Sequence, residues 1–280
     1  MSILFSIPTL FKKSRVPTHI NCINTLAKQC ESSNIEYKII ITCNGKYNED
    51  FEKWNPLNPN IIKKYSNEKY NVSKAINVGM KMVQNEDYFC LIEDDIEVLD
   101  NNWINNFIKI YNTPELNCGL LAIVPHTNSF LKHISSAKLP YKIEQHKHTD
   151  GIQFISTDKI AIVGYYDEKF KGDCDTDDYC FNLMFNGFFN YKVNLPFKHH
   201  QVGFDNKILK TEDDVEFSKN VRRSRIRLKE KWNLQLGWRR STTGIYDGWK
   251  QVDGKWEIDN SKTNLHPPGY IEQLQKDNLI

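Results

Sequence analysis

The fold is decided by the stretch Tyr88-Phe89-Cys90-Leu91-Ile92-Glu93-Asp94-Asp95. Its five apolar residues form a run that is typical of a strand buried on both faces. Three carboxylates then end the run abruptly. Because side chains alternate along an extended chain, Glu93 and Asp95 are expected on the same side. The stretch therefore predicts a buried strand that brings acidic side chains to one edge of a sheet.

Strand and helix patterns alternate before this stretch. Short apolar runs predict strands over residues 3–7, 37–42 and 61–65, and apolar residues at helical spacing predict helices over residues 18–27 and 72–83. Repeated strand-helix units imply a mostly parallel sheet with right-handed crossovers. Such sheets bind ligands at the carboxyl ends of their strands. The acidic run is expected at one of these ends.

The pattern is less regular after the acidic run. A helix is expected from Trp103, and strands are predicted over residues 120–124, 152–156 and 191–195. A polar stretch that contains histidines separates the first two of these strands and ends near residue 150. No internal repeat or low-complexity segment is present.

The composition excludes several classes of protein. The chain has 280 residues, of which 40% are hydrophobic and 26% charged, as expected for one large α/β domain or two small ones. Its net charge of +2 gives no overall attraction to nucleic acid or anionic membranes. Seven scattered cysteines without a CxxC pair favour reduced thiols in the cytoplasm. Neither a signal peptide nor an apolar run of about 20 residues is seen, so no membrane span is expected.

Two groups of carboxylates suggest chemistry. The acidic run offers oxygen ligands that suit Mg²⁺ or Mn²⁺, although such a triplet can also simply close a strand. A second group stands in a loop before a predicted helix, at Asp173, Asp175, Asp177 and Asp178. It could supply a general base, or it could cap that helix and interact with its dipole. His200 follows a predicted strand, and a neutral imidazole there could complete a metal shell.

Several short motifs follow one another in a recognisable order. The first two are Asn71-Val72-Ser73-Lys74-Ala75-Ile76-Asn77-Val78-Gly79 and Leu91-Ile92-Glu93-Asp94-Asp95-Ile96-Glu97-Val98 with Trp103. Next come Val163-Gly164-Tyr165-Tyr166-Asp167-Glu168-Lys169-Phe170, Asp175-Thr176-Asp177-Asp178-Tyr179-Cys180, His200 and Lys231-Trp232. Together they resemble the GT-A glycosyltransferases of family 2. The resemblance covers roughly residues 1–235 and depends on the order and spacing of motifs that are individually weak.

The resemblance implies an α/β GT-A fold, which is Rossmann-like, with a mostly parallel central sheet flanked by helices and a basic, aromatic C-terminal appendage. Residues 1–112 would form the half that binds a nucleotide-sugar, and residues 113–205 the acceptor and catalytic half. Residues 206–280 would form a C-terminal extension. The implied reaction moves a sugar from a nucleoside-diphosphate sugar to an acceptor hydroxyl, with inversion, and uses Mn²⁺ or Mg²⁺.

The resemblance also implies roles for individual residues. The metal ligands would be Asp95, Glu93 and His200. The residues near the nucleotide-sugar would be Pro8, Thr9, Asn44, Lys74, Asn77, Glu93 and Asp94. The base is expected among Asp175, Asp177 and Asp178, with Asp175 favoured. Two departures from the family pattern leave alternatives open. Glu-Asp-Asp replaces the usual DxD, so either Glu93 or Asp94 could hold the metal with Asp95. Thr176 stands where an aspartate could align, so Asp175 and Asp177 compete as the base.

The C-terminal segment combines cations with aromatic rings. Residues 220–231 predict a basic helix, and residues 244–249 with 252–256 predict a small β-hairpin. The charged and aromatic side chains are Arg222, Arg223, Arg225, Arg227, Lys229, Lys231, Trp232, Trp238, Arg239, Arg240, Tyr246, Trp249 and Trp256. Such a set suits nucleic acid, but it equally suits sugars and donor phosphates, or a solvated helix face. The acceptor is therefore open between a glycan, a small molecule and a hydroxymethylated base in DNA, as in phage-type enzymes.

Two other functions compete with sugar transfer. A sugar nucleotidylyltransferase would share the strand-helix architecture, but it would need a Gly-rich phosphate loop after the first strand. Residues 8–15 contain no glycine. An inactive carbohydrate- or DNA-binding module would be expected to lose the metal or base carboxylates, and both groups are present. A glycosyltransferase is the favoured interpretation.

Overall fold

The structure is a computed structural model that describes nine stretches of the chain. They are residues 1–11, 13–69, 71–123, 139–146, 151–171, 173–200, 212–232, 249–253 and 255–259. Side chains are described throughout these stretches except at residues 14, 212–217 and 255. Among the helices in these stretches, none is long and apolar enough to cross a bilayer.

Strands and helices alternate in the described part of the chain. The strands are β1 (Ser2–Thr9), β2 (Glu36–Cys43), β3 (Ile61–Tyr65), β4 (Tyr88–Ile92), β5 (Ile96–Val98), β6 (Cys118–Ile123), β7 (Ile143–Gln145), β8 (Ile152–Ser156), β9 (Phe189–Val193), β10 (Phe197–His199), β11 (Trp249–Val252) and β12 (Lys255–Ile258). The α-helices are α1 (Val16–Ser32), α2 (Glu49–Lys53), α3 (Val72–Met80), α4 (Trp103–Tyr111), α5 (Thr157–Val163), α6 (Asp175–Phe185) and α7 (Glu212–Trp232).

Eight strands form the central sheet, in the order β3-β2-β1-β4-β8-β6-β9-β7. The four strands from β3 to β4 are parallel, as the strand-helix repeats predict. β8 lies antiparallel between β4 and β6, β6 and β9 are parallel again, and β7 is an antiparallel edge. The predicted α/β architecture with a mostly parallel sheet is therefore confirmed. The acidic run follows β4 at the edge where β1 and β2 also end.

Helices cover both faces of this sheet. On one face Phe5 of β1 packs edge-on against Trp103 of α4, with 6.3 Å between the ring centroids. On the other face Leu4 lies in one core cluster with Ile76 of α3. Burial of both faces explains why the strands are continuous apolar runs instead of alternating ones. The approach of α3 is close, since a Cβ on Gly79 would lie 2.7 Å from the Cβ of Ser6.

Several strand predictions agree with the structure in their bounds. The strands predicted over residues 61–65, 88–92 and 152–156 match β3, β4 and β8. β9 begins and ends two residues earlier than the predicted strand over 191–195. Residue 124 and most of the polar stretch that follows lie outside the described residues.

The C-terminal hairpin is present with shifted strands. β11 pairs antiparallel with β12, and Asp253, in left-handed conformation, lies in the turn between them. Residues 244–248, which the sequence assigns to the first strand, lie outside the described residues. The helix predicted over residues 220–231 lies within the longer α7.

Two helices depart from the sequence-based expectation. The sequence does not predict α5, whose seven residues are too few for a clear helical period. α6 begins at Asp175, so Asp175, Asp177 and Asp178 lie in its first turn and not in a loop before it. Carboxylates in a first turn lie near unpaired backbone N–H groups and the positive end of the helix dipole.

Candidate active site

The acidic run forms a turn between β4 and β5. The backbone N–H of Glu93 donates to the carbonyl of Gly151 at 3.1 Å, and the N–H of Gly151 donates to Glu93 Oε1 at 3.0 Å. The N–H of Ile96 closes the turn on the Glu93 carbonyl at 3.2 Å. β8 begins immediately after Gly151 and is antiparallel to β4. The sheet itself therefore holds the first carboxylate in place.

A histidine from a distant part of the chain lies beside this turn. β10 pairs antiparallel with β5 and places His199 opposite Ile96. His199 Nε2 is 3.3 Å from Asp95 Oδ1. Potential ligand atoms of Glu93, Asp95 and His199 all lie within 4.8 Å of one another. Two carboxylates and an imidazole at this spacing fit a divalent cation such as Mn²⁺ or Mg²⁺.

His200, the histidine expected from the sequence, lies outside that group. Its Nε2 is 2.8 Å from Glu97 Oε2. Its backbone N–H donates to the Asp95 carbonyl at 2.9 Å. The structure thus brings His199 to the carboxylates and gives His200 a supporting contact with the same turn. Only the register between β5 and β10 distinguishes these neighbours, and the sequence does not reveal that register.

Asp94 points to the other side of the turn, toward α1. Its Oδ2 lies 3.2 Å from Nε2 of His19, a residue that the sequence does not suggest for the site. His19 Nδ1 lies 3.2 Å from the hydroxyl of Thr9. Burial lowers the pKa of His19, and burial raises the pKa of Asp94 despite the opposing effect of His19. Asp94 is therefore a half-buried carboxylate, 17% exposed, that receives polar contacts from its neighbours.

The other predicted nucleotide contacts at this edge surround the end of β1. Pro8 and Thr9 are its last two residues. The N–H of Asn44, just after β2, donates to the carbonyl of Thr9 at 2.8 Å. Ser66 Oγ lies 3.4 Å from Asn44 Oδ1. The structure therefore brings Pro8, Thr9 and Asn44 together at the edge that carries the acidic run.

Lys74 and Asn77 of α3 are occupied by other parts of the chain. Lys74 Nζ is 3.1 Å from Glu68, whose carboxylate also contacts Lys171 at 2.5 Å. The hydrogen bond from Lys171 holds the pKa of Glu68 at about 2. Asn77 is buried, and its amide donates to the Tyr166 carbonyl at 2.9 Å and accepts from the Tyr166 N–H at 3.0 Å. The buried Asn77 therefore fastens α3 to the segment that precedes α6.

Tyr166 connects that segment to the sheet. Its hydroxyl donates to Gln153 Oε1 at 2.6 Å, and Gln153 on β8 lies opposite Leu91 on β4. The Tyr166 ring stacks on Tyr179 of α6 at 4.2 Å. Burial raises the pKa of Tyr166 well above its ordinary value, and the charge of Asp175 adds to this effect. A continuous series of contacts therefore links the start of α6 to the strand that carries the acidic run.

The three aspartates at the start of α6 have different surroundings. Burial raises the pKa of Asp175 to about 6, and the charges of Asp173 and Asp178 add to the shift. Asp177 is buried, and a carboxylate oxygen lies within 4.8 Å of ligand atoms of Asp173 and Cys174. Burial also raises the pKa of Asp178, although its carboxylate accepts from two groups of α7.

α7 forms a row of ion pairs with the acidic side of the site. Trp232 Nε1 donates to Asp178 Oδ1 at 2.6 Å, and Lys231 Nζ donates to Asp178 Oδ2 at 2.9 Å. Earlier in the helix, Arg225 pairs with Asp173 and Arg227 pairs with Asp167, each at 2.6 Å. Three cations of the predicted basic surface, Arg225, Arg227 and Lys231, therefore pair with carboxylates of the protein, although Arg225 and Lys231 stay exposed. Trp238, Arg239, Arg240 and Tyr246 lie outside the described residues.

GalNAc-T7 and the mannosyltransferase PcManGT share this fold at low sequence identity. GalNAc-T7 with UDP, GalNAc and Mn²⁺ matches with a TM-score of 0.54 and 10% identity, covering 79% of this chain and 48% of that protein. The mannosyltransferase PcManGT from Pyrobaculum calidifontis, in complex with GDP-Man and Mn²⁺, matches with a TM-score of 0.50 and 10% identity, covering 66% of this chain and 52% of that one. A Drosophila β1,4-galactosyltransferase 7 mutant with manganese, UDP-Gal and xylobiose gives a TM-score of 0.48 at 13% identity, covering 77% and 78%.

Sequence comparison identifies the family. No curated protein sequence matches this chain. The model of glycosyl transferase family 2, however, matches residues 8–166. This region runs from the end of β1 through the acidic run to Tyr166 and makes up more than half of the 280 residues. The chain therefore belongs to glycosyl transferase family 2 and is a glycosyltransferase with the GT-A fold.

Proposed function

We propose that this enzyme transfers a sugar from a nucleoside-diphosphate sugar to an acceptor hydroxyl, with a divalent cation held by Glu93, Asp95 and His199. The observation that carries the proposal is the convergence of their ligand atoms within 4.8 Å at the carboxyl end of β4. The similarity in fold to GalNAc-T7 and PcManGT supports it, since both were crystallised with Mn²⁺ and a nucleotide or nucleotide-sugar. Mn²⁺ or Mg²⁺ is the expected ion.

The bound cation would neutralise the negative charge that develops on the departing diphosphate. Contacts within the protein fix the positions of the residues that would hold this cation. Gly151 orients the Glu93 carboxylate, and the N–H of His200 holds the Asp95 backbone. Thr9, Asn44 and Asp94 lie at the same edge and are the proposed contacts for the nucleoside and sugar. Lys74 is proposed to lie near the donor too, at a position set by its ion pair with Glu68.

Asp175 is the proposed general base. Its raised pKa of about 6 is close to neutral, where a base combines a deprotonated population with useful proton affinity. Asp178 is less suited because Trp232 and Lys231 occupy its two oxygens. In the proposed inverting reaction, Asp175 takes the proton of the acceptor hydroxyl. The acceptor oxygen then bonds to the anomeric carbon as the bond to the diphosphate breaks.

The acceptor class stays a prediction. Three cations of α7, Arg225, Arg227 and Lys231, pair with carboxylates of the protein and so need no nucleic acid to balance their charge. This arrangement favours a glycan or small-molecule acceptor over a DNA base. Salt-sensitive binding to hydroxymethylated duplex DNA would reverse that preference. Seven free, buried thiols support the proposed cytoplasmic location.

A donor screen tests the central proposal. Purified enzyme is incubated with UDP-, GDP- and dTDP-sugars in the presence of Mn²⁺ or of EDTA, and donor binding and nucleoside-diphosphate release are measured. We expect at least one donor to bind and turn over with Mn²⁺ and not with EDTA. Asp95→Asn, which keeps the side-chain size and removes the charge, should behave as the wild type does in EDTA. The proposal fails if no donor shows metal-dependent binding or release.

A further inference from the structure

A chain of polar contacts joins the acidic turn to the end of β1 and to α1. The N–H of Phe11 donates to the Thr9 hydroxyl at 2.9 Å, and that oxygen is 3.2 Å from His19 Nδ1. The opposite ring nitrogen, Nε2, is 3.2 Å from Asp94 Oδ2. The His19 side chain is only 1% exposed. The imidazole therefore lies between the end of β1 and the middle carboxylate of the acidic run, with Nε2 at ion-pair distance from Asp94.

The surroundings of Asp94 make this contact important. On the α1 side Asp94 and Glu93 line a small cavity together with apolar residues, among them Ile7, Ile23 and Leu26. A carboxylate next to such side chains is poorly solvated unless polar groups contact it. Thr9 and His19 provide polar contacts on this side. Loss of the imidazole should therefore favour rotation of Asp94 out of its position.

Helix α1 is well placed to hold the turn. His19 lies in its first turns and contacts Asp94. Near the other end of the helix, Gln29 Nε2 donates to the Val98 carbonyl at 2.8 Å, and Gln29 Oε1 accepts from Trp103 Nε1 at 3.0 Å. The helix thus contacts both ends of the segment from Asp94 to Val98. That segment carries Asp95 and forms the strand that pairs with His199.

We propose that His19 is a positioning residue that holds Asp94 on the α1 side, so that Glu93 and Asp95 converge with His199. The inference rests on the proposed metal centre and assigns no contact between His19 and substrate. Asp94 lies between Glu93 and Asp95 in the chain, so its rotation toward solvent would disturb the turn that aligns their carboxylates. Outer contacts that orient metal ligands typically contribute about 10- to 100-fold in metal affinity.

Two substitutions separate the contacts of the two ring nitrogens. In His19→Gln the side-chain amide reaches about as far as Nε2 and can still contact Asp94. In His19→Asn the amide reaches only as far as Nδ1, so the Thr9 contact is kept and the Asp94 contact is lost. Tyr88→Phe is the matched control, since it removes a part-buried hydroxyl, bonded to Asn112 at 2.9 Å, from the other end of β4.

Mn²⁺ binding is measured by isothermal titration calorimetry on the full chain without donor, and urea unfolding shows that each variant is folded. We expect the dissociation constant to rise about 10-fold in His19→Asn and to stay near the wild-type value in His19→Gln and Tyr88→Phe. If His19→Asn does not fold, Thr9→Val removes the hydroxyl that contacts Asp94 directly, a contact that His19→Gln keeps, and should weaken binding in its place.

Several outcomes would overturn the inference. Wild-type affinity in a folded His19→Asn, or in Thr9→Val where that variant replaces it, refutes the positioning role and leaves the metal centre intact. Equal weakening in Tyr88→Phe would show that the effect is general destabilisation. A wild-type protein that binds no Mn²⁺ refutes the proposed metal centre and this inference with it.

Discussion

The three consecutive carboxylates of the acidic run face two directions. Glu93 and Asp95 share a group with His199, whereas Asp94 contacts His19 on the α1 side. The run forms a turn closed by the Ile96 N–H on the Glu93 carbonyl, so the turn, and not the alternation expected of an extended chain, sets this division. The middle residue is therefore separated from the proposed metal ligands by geometry, although all three side chains offer the same chemical group.

The neighbours His199 and His200 provide a direct test of the proposed metal centre. Both are histidines of similar exposure, but only His199 has a ring nitrogen in the group with Glu93 and Asp95. We expect His199→Gln to weaken Mn²⁺ binding by at least about 10-fold, since even indirect ligand contacts are worth that much. His200→Gln should have a smaller effect. Titration calorimetry checks this order, and the reverse order would place the metal elsewhere.

Asp175 should control the pH dependence of the reaction. A general base must be deprotonated, so a pKa of about 6 predicts that kcat/KM rises as pH increases through about 6 and then levels off. Asp175→Asn should lower kcat by about 10²- to 10⁴-fold and remove this acid limb. The rates are measured from pH 5 to pH 9 with the donor found in the screen.

Asp177→Asn serves as the matched variant for this experiment, because Asp177 lies in the same helical turn. Its pH profile should keep the acid limb of the wild type. If Asp177→Asn loses that limb and Asp175→Asn keeps it, Asp177 is the base.

The residues of the candidate site differ in how visible they are in the sequence. The acidic run is predictable because an apolar strand and the carboxylates that end it are adjacent in the chain. His199 and His19 are not, because their contacts with Asp95 and Asp94 cross more than 70 residues. They depend on the register of β10 with β5 and on the position of α1. Asn77 shows the opposite case, since a motif residue expected near the nucleotide is buried against Tyr166.

Among the secondary-structure elements, the long strands and amphipathic helices are predictable, because each shows its hydrophobic pattern within one continuous stretch of sequence. The short α5 is not, and the hairpin is displaced because its turn falls at Asp253, where the sequence has an Asp-Gly pair, and not at residues 250–251 between the expected strands. The position of α7 against α6 cannot be predicted from the sequence either. From the sequence its cations predict a surface for binding partners, whereas in the structure three of them pair with carboxylates around α6.

Trp232 anchors α7 to α6 through a buried hydrogen bond to Asp178. Trp232→Phe keeps a large ring and removes the donor, so the free energy of unfolding should fall by about 1.5–3 kcal/mol, as for a hydrogen bond to a charged group. Trp256→Phe, at a partly buried tryptophan of β12, is the matched control and should have a smaller effect. Urea unfolding of both variants measures the difference. Equal losses would mean that the bond to Asp178 adds nothing specific.

At the scale of the whole molecule, the central sheet joins two strand-helix halves through β8. This strand is antiparallel to both β4 and β6, and it carries Gln153, which bonds Tyr166 from the segment before α6. The family match ends at Tyr166, so α6 and α7 lie beyond it. The proposed base and the helix that packs against it therefore belong to the part of the chain where the family model gives no guidance.

The C-terminal segment is expected to be required for folding. Phe170 and Phe181 are fully buried in one cluster with Leu228 and Trp232 of α7 and Trp249 of β11. A chain that ends at residue 211 would expose these two rings, at about 1.5–3 kcal/mol each, against a typical total stability of about 5–15 kcal/mol. We expect it to lose cooperative thermal unfolding, measured by circular dichroism. The full chain with Arg222→Gln, at an exposed position of α7, is the control and should melt as the wild type does. A shortened chain that melted cooperatively at the wild-type temperature would show that residues 1–211 fold without α7.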